Sequence, residues 1–222
     1  MQKLVKSARE AITDVLDGHH IMVGGFLACG TPEGLVSALI ERPVKGITII
    51  GNDTAFPEKG VGRLIVAKLV REAIVSHIGT NRETVRQLNE KETVVTLVPQ
   101  GTLAERIRCG GAGIGGFYTP TGVGTAVQEG KEVREFDGRK YLLELPLRAD
   151  VALLKAWKAD ESGNLVFRRT ARNFNPMMAM AADLVIAEVE ELVPVGSIDP
   201  DEVMVPGVLV HKLVLETAEE GV

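Results

Sequence analysis

Aromatic side chains make up only 4% of the 222 residues, with a single tryptophan, so the stacking platforms on which nucleic acids lie have little to be built from. Positive charge is also in deficit: 25 Lys and Arg against 30 Asp and Glu give a net charge of -5 and a pI near 5.5. No global basic field holds nucleic acid or anionic lipid, and neither is expected as a partner. Cysteine is scarce. Cys29 and Cys109 lie far apart in glycine-rich stretches, with no CxxC pair and no Cys/His cluster at metal-ligand spacing, which argues for free thiols, a cytoplasmic protein and no metal site.

Long apolar runs are missing as well. The N-terminal MQKLVKSAREAITDVL is a charged amphipathic pattern rather than a signal peptide. The one uncharged stretch of membrane length, Cys109 to Gln128, holds seven glycines, a proline and three threonines and reads as an extended loop system. Membrane association is not expected.

What the chain does have is aliphatic residues and 24 glycines. Its length suits one large domain over residues 1–222. Ser7 followed by Glu10 is a capping box that opens a helix expected to stop near Asp17-Gly18. Aliphatic runs at 21–23, 47–50, 73–76, 94–98, 151–154 and 184–189 read as strands buried on both faces. Between them lie helical patterns at 32–41 (Thr31 as cap), 62–70, 82–90, 103–108 and 176–182. The alternation predicts an α/β fold: an open, mainly parallel sheet with helices on both faces. Two hairpins are added to it, one turning at Asp137-Gly138 and one at 161–164.

Which ligand would the glycines serve? Gly111 to Gly116 satisfies GxGxxG, but a helix end precedes it and Phe117-Tyr118-Thr119-Pro120 follows, the wrong context for a dinucleotide loop. Gly124 to Lys131 misses a phosphate-binding loop by one residue of spacer, and Glu132 stands where a magnesium-holding Ser or Thr belongs. The four histidines are scattered and read as caps, core-edge or surface residues. The paired glycines Gly24-Gly25 end an apolar run, where the backbone turns tightly or another molecule approaches it closely. Loop-on-loop packing is the competing reading.

DGHHIMVGGFLACGTP, VPQGTLAERIRCGGAGIGGFYTPTGVGT and LLKAWKADESGNLVFRRTARNFNP together resemble the α subunit of the family I coenzyme A transferases, the 3-oxoacid CoA-transferases. The resemblance covers almost the whole chain. GNDTAFPEKGVGRLIVAKLV with SHIGTN is most similar to the acetate:acetoacetate (butyrate-acetoacetate) enzymes, with the succinyl-CoA enzymes second. It implies a CoA-transferase (NagB/RpiA-like) fold and a ping-pong exchange. A glutamate attacks an acyl-CoA to give a mixed anhydride, CoA returns to form a glutamyl-CoA thioester, and a short-chain carboxylic acid reverses the two steps. The family's Ser-Glu-Asn-Gly motif is absent, since Glu161-Ser162-Gly163-Asn164 has the wrong order, so the nucleophile is expected on a β subunit in an α2β2 assembly. Coenzyme A is then a substrate, and no tightly bound cofactor is expected.

The same resemblance assigns Gln100 of VPQGT to the oxyanion hole; its competing reading is a strand-end cap. Gly24, Gly25, Phe26 and Gly30 would let pantetheine or acyl group approach the backbone, Phe26 serving as apolar wall or equally as core. Asn52 is the candidate hydrogen-bonding group to substrate, with Asp53 beside it, against an Asx turn. The glycines at 110–116 and 122–124 go to the subunit interface and site rim. In Arg172-Asn173-Phe174-Asn175-Pro176 two readings stay open: Asn173 caps a helix while Arg172 pairs with a carboxylate, or the segment faces the β subunit. A non-catalytic CoA or small-acid binding module is the alternative of another class.

Overall fold

The computed structural model describes residues 3–42 and 44–216. In chain order the strands are β1 (His20–Val23), β2 (Ile47–Ile50), β3 (Val70–Val75), β4 (Val94–Leu97), β5 (Phe117–Thr119), β6 (Val133–Phe136), β7 (Arg139–Glu144), β8 (Ala149–Asp160), β9 (Leu165–Val166), β10 (Ala182–Val193) and β11 (Lys212–Leu215). The helices are α1 (Ala8–Ala11), α2 (Glu33–Glu41), α3 (Gly62–Val66), α4 (Arg82–Asn89), α5 (Gln100–Ala112) and α6 (Asn175–Met180). The main sheet runs β11-β10-β8-β1-β2-β3-β4, every neighbouring pair parallel, with β9 folded back antiparallel on β8.

Strand alternation divides the apolar residues between two cores, one on each face. Ile21, Val23, Ile49, Ala73, Val75 and Leu153 pack with Leu35 and Leu39 of α2 and Leu64 and Ile65 of α3. Met22, Ile50, Ile74, Ala152 and Leu154 point the other way, to Leu103 and Ile107 of α5 and Met178 of α6. Helices therefore cover both faces, which is why these strands read as unbroken aliphatic runs. β8 and β10 keep one register over ten paired positions, from Ala149 beside Ala182 to Asp160 beside Val193. A separate antiparallel sheet, β5-β7-β6, stands on the loop between α5 and β8. Its Asp137-Gly138 turn has both residues at positive φ, 49° and 75°, as a two-residue hairpin requires. The turn at 161–164 joins β8 to β9, with Lys158 opposite Val166.

Several local expectations are corrected. Thr31 is not the cap of α2: Pro32 holds that position without a side-chain hydrogen bond, because the Thr31 hydroxyl lies against Gly25. α1 ends at Ala11 in a run of turns instead of reaching Asp17, and α3 stops at Val66, where Lys68 turns left-handed (φ 56°) and returns the chain to β3. The 109–128 stretch is not all loop: Cys109–Ala112 is the last turn of α5, Phe117–Thr119 is β5 and Ala126–Gln128 is a short 3-10 turn. β4 was expected to be buried on both faces, yet Val94 is 59% and Leu97 54% exposed. It is the last strand of the sheet, and no layer lies over those side chains among the described residues.

Candidate functional site

Four adjacent parallel strands end side by side, and three of them are followed by candidate residues. Gly24-Gly25 follows β1, Asn52-Asp53 follows β2, Ser76 follows β3, and Gln100 opens α5 just past β4. In a parallel sheet this carboxyl edge is where ligands bind.

A chain of hydrogen bonds crosses these ends. The Gln100 Nε2 donates to Asn52 Oδ1 at 3.3 Å, and Asn52 Nδ2 donates to Asp53 Oδ2 at 2.6 Å. Asp53 also accepts from the backbone N–H of Ala55 at 2.7 Å and of Leu27 at 3.0 Å. The Asn52 carbonyl accepts from the Ser76 N–H at 2.9 Å and its hydroxyl at 2.6 Å. Asn52 and Asp53 are 4% and 5% exposed, and the Asn52 carboxamide is engaged at both ends within the protein. Gln100 is exposed; of its two amide hydrogens one goes to Asn52, leaving an N–H and the carbonyl for a ligand.

The loop after β1 is held hard. Phe26 and Cys29 exchange both backbone hydrogen bonds, at 3.0 and 2.9 Å. Leu27 and Ala28 between them adopt φ of 47° and 69°, a left-handed turn that non-glycine residues enter only at about 1–2 kcal/mol each. A second Phe-x-x-x-Gly turn, Phe56 to Gly60, follows β2 in the same manner, with Lys59 N–H donating to the Phe56 carbonyl at 3.2 Å. A Cβ on Gly60 would lie 3.2 Å from that of Ala28, so the two turns stack. This recurrence of Phe-x-x-x-Gly at 26–30 and 56–60 was a signal available in the sequence.

The question posed by Gly24 and Gly25 has a structural answer. The space a Cβ would occupy at Gly24 is filled by the Asn175 carboxamide, and at Gly25 by the Thr31 hydroxyl. At Gly30 a Cβ would sit 2.6 Å from the Ala171 carbonyl. At all three glycines a close approach is thus made by the protein itself on the side a Cβ would take. Phe26 is 47% exposed and is not core.

Asn173 and Asn175 make the latch. Asn173 Oδ1 accepts from the Gly25 N–H at 3.1 Å and its Nδ2 donates to the Cys29 carbonyl at 2.9 Å. Asn175 Nδ2 donates to the Gly30 carbonyl at 3.1 Å. Asn173 is thus not the N-cap of α6, a position Phe174 holds; it ends the 3-10 turn 169–172 with φ 21°, ψ -121°. Arg172 makes no ion pair among the described residues. Gly110 and Gly111 pack against the Leu147 carbonyl and Met180. His19 and His211 accept backbone N–H groups, from Leu16 and Val185.

Two concavities flank the turn. A groove of about 1240 Å³ is lined by Leu27, Ala28, Cys29, Phe56, Lys59 and Glu188, and a cleft of about 300 Å³ by Cys29, Trp157, Arg168, Arg169 and Thr170. Gln100, Asn52 and Asp53 line neither and lie at the open strand ends. Glu188, which no sequence signal singled out, is 1% exposed and has its pKa pushed up by burial, against the opposing effect of the Leu35 N–H and Lys155. Among the described residues no helix is long and apolar enough to cross a membrane, and no cluster of side chains is arranged to hold a metal ion.

Known proteins match this arrangement along nearly its whole length. The chain is 51% identical over 97% of its length, and 98% of the relative's, to the alpha chain of the acetate CoA-transferase of Escherichia coli (strain K12). It is 52% identical to the corresponding chain of the succinyl-CoA:3-ketoacid coenzyme A transferase of Xanthomonas campestris pv. campestris (strain B100), covering 98% and 90%. Among solved structures, the acyl-CoA transferase YdiF of Escherichia coli O157:H7, determined as a thioester complex with CoA, superposes with a TM-score of 0.85 at 22% identity. That match covers 97% of this chain and 47% of YdiF, so the chain spans about half the length of that enzyme. The coenzyme A transferase model matches residues 5–216, and the chain belongs to the coenzyme A transferase family, an enzyme family that uses CoA as substrate.

Proposed function

We propose that this chain is the α half of a cytoplasmic α2β2 enzyme that moves CoA between an acyl-CoA and a short-chain carboxylate, acetate and acetoacetate first among them. The observation that carries the site assignment is the Gln100–Asn52–Asp53–Leu27 hydrogen-bond chain. It fixes a neutral amide donor at the carboxyl edge of the sheet, and a fixed neutral donor stabilises the oxyanion of an acyl-transfer intermediate without reorganising as the charge develops. The β subunit supplies the nucleophilic glutamate, which attacks the thioester carbonyl and expels CoA thiolate; Gln100 holds the carbonyl oxygen as it gains charge. Asn52 and Asp53 act as positioning residues, and Phe26 forms an apolar wall for the acyl group.

Succinyl-CoA:3-oxoacid exchange is the second reading, favoured by the 52% identity to the Xanthomonas protein. An exchange assay with acetoacetyl-CoA and acetate, and in parallel with succinyl-CoA and acetoacetate, is run on this chain alone and after mixing with its β subunit. Activity confined to the mixture supports the half-enzyme reading, and the relative kcat/KM ranks the acids. Activity of this chain alone overturns it.

A further inference from the structure

Glu188 lies mid-strand in β10 at the inner wall of the larger groove, and the exchange chemistry gives it no part. A buried carboxylate persists where its oxygens find donors. Oε2 accepts from the Leu35 N–H at 2.9 Å, taking one of the donors at the start of α2 that Thr31 leaves unmet. Oε1 lies 3.5 Å from Lys155 Nζ, which also reaches Glu216 at 2.6 Å. The Lys155 backbone N–H in turn donates to Asn175 Oδ1 at 3.0 Å, and Asn175 holds the Gly30 carbonyl and fills the space beside Gly24. Gly34 completes the fit, since a Cβ there would stand 2.8 Å from Glu188 Oε2.

We propose that Glu188 is a positioning residue that clamps the Gly24–Gly30 loop from two sides, through the first turn of α2 and through the Lys155–Asn175 pair. The loop carries Leu27, whose N–H ends the hydrogen-bond chain to Gln100, so a shift at Glu188 is felt at the reacting carbonyl. This inference rests on the transferase reading.

The test uses the assembled αβ complex and three variants, Glu188→Ala, Glu188→Gln and Gly34→Ala. Glu188→Ala lowers kcat by roughly 10- to 100-fold, the scale of a small displacement of an aligned group. Glu188→Gln restores part of the turnover, because its carboxamide oxygen still accepts from Leu35 while its NH2 cannot accept from Lys155. Gly34→Ala lowers kcat as well, although alanine is the better helix former, because its Cβ pushes the carboxylate off Leu35. Maleimide labelling reads the loop directly: exposed Cys29 reacts several-fold faster in the two damaged variants while buried Cys109 does not change. A wild-type kcat in Glu188→Ala overturns the clamp, as does a Glu188→Gln loss equal to that of alanine. Cys109 opening in step with Cys29 overturns it too, since that marks general unfolding. A wild-type complex without exchange activity sinks the transferase reading instead, and Cys29 labelling then decides the clamp by itself.

Discussion

The Gln100 carboxamide donates to the Asn52 carboxamide across 3.3 Å, joining the exit of the edge strand to that of the strand two places inward. Gln100→Ala removes the donor and is expected to lower turnover by roughly 10- to 1000-fold in the αβ complex with little change in thermal stability, because the side chain is exposed. An unchanged rate in a correctly assembled complex removes Gln100 from the chemistry.

The proposed role of Asn52 runs through its hydrogen bond from Gln100, which predicts that the two are coupled. Asn52→Ala lowers kcat less than Gln100→Ala, and the double variant is no slower than Gln100→Ala alone. Losses that simply add would show that Asn52 meets the substrate independently.

Gly24 faces the Asn175 carboxamide, which is fully buried. Gly24→Ala forces the two groups to overlap and costs roughly 2–4 kcal/mol, read as a lowered denaturation midpoint. Gly24→Ala combined with Asn175→Ala recovers part of that loss; a double variant less stable than either single one contradicts the packing assignment.

Arg86 gathers Glu83, Glu90 and Glu92 around one guanidinium on α4. Its hydrogen bonds pull the Glu83 and Glu92 carboxyls down to about 2. Groups with depressed values add stability above their unfolded pKa, near 4.5, and lose it as pH falls toward 2. Wild type is therefore more stable than Arg86→Ala at pH 6 by a small margin, these side chains being partly exposed, and the difference vanishes as pH drops from about 5 to about 2. Melting temperatures of the two proteins across that range check it, and a gap as large at pH 2 as at pH 6 rules the pairing out.

Where local chemistry decides, the sequence was legible. Asp137-Gly138 marked a hairpin because two left-handed residues are needed there, and the aliphatic runs marked buried parallel strands. Thr31 and Glu188 show what escaped. Thr31 looked like a cap until Gly25 claimed its hydroxyl, and Glu188 in AEVEE reads as an outward charge unless the start of α2 is known to face it. β4 looked as buried as β2 because strand order, which puts it at an edge, is not written in composition. At the site, the sequence put Gln100 and Asn52-Asp53 each at a strand end, and the structure brings the two ends together. Their linkage and the Asn173–Asn175 latch depend on contacts across 48 and about 145 residues, which spacing does not reveal.

That last separation has a consequence for how the protein is made. β1 is paired on one side by β2 and on the other by β8, with Ile21 beside both Ile49 and Val151. At ribosomal speeds of about 5–20 residues per second, the second neighbour emerges about 5–20 seconds after the first. The glycine loop waits longer still, until Asn173 and Asn175 arrive to close over it. A growing chain thus carries an open strand edge through most of its synthesis, and the Gly24–Gly30 loop is among the last parts to take shape.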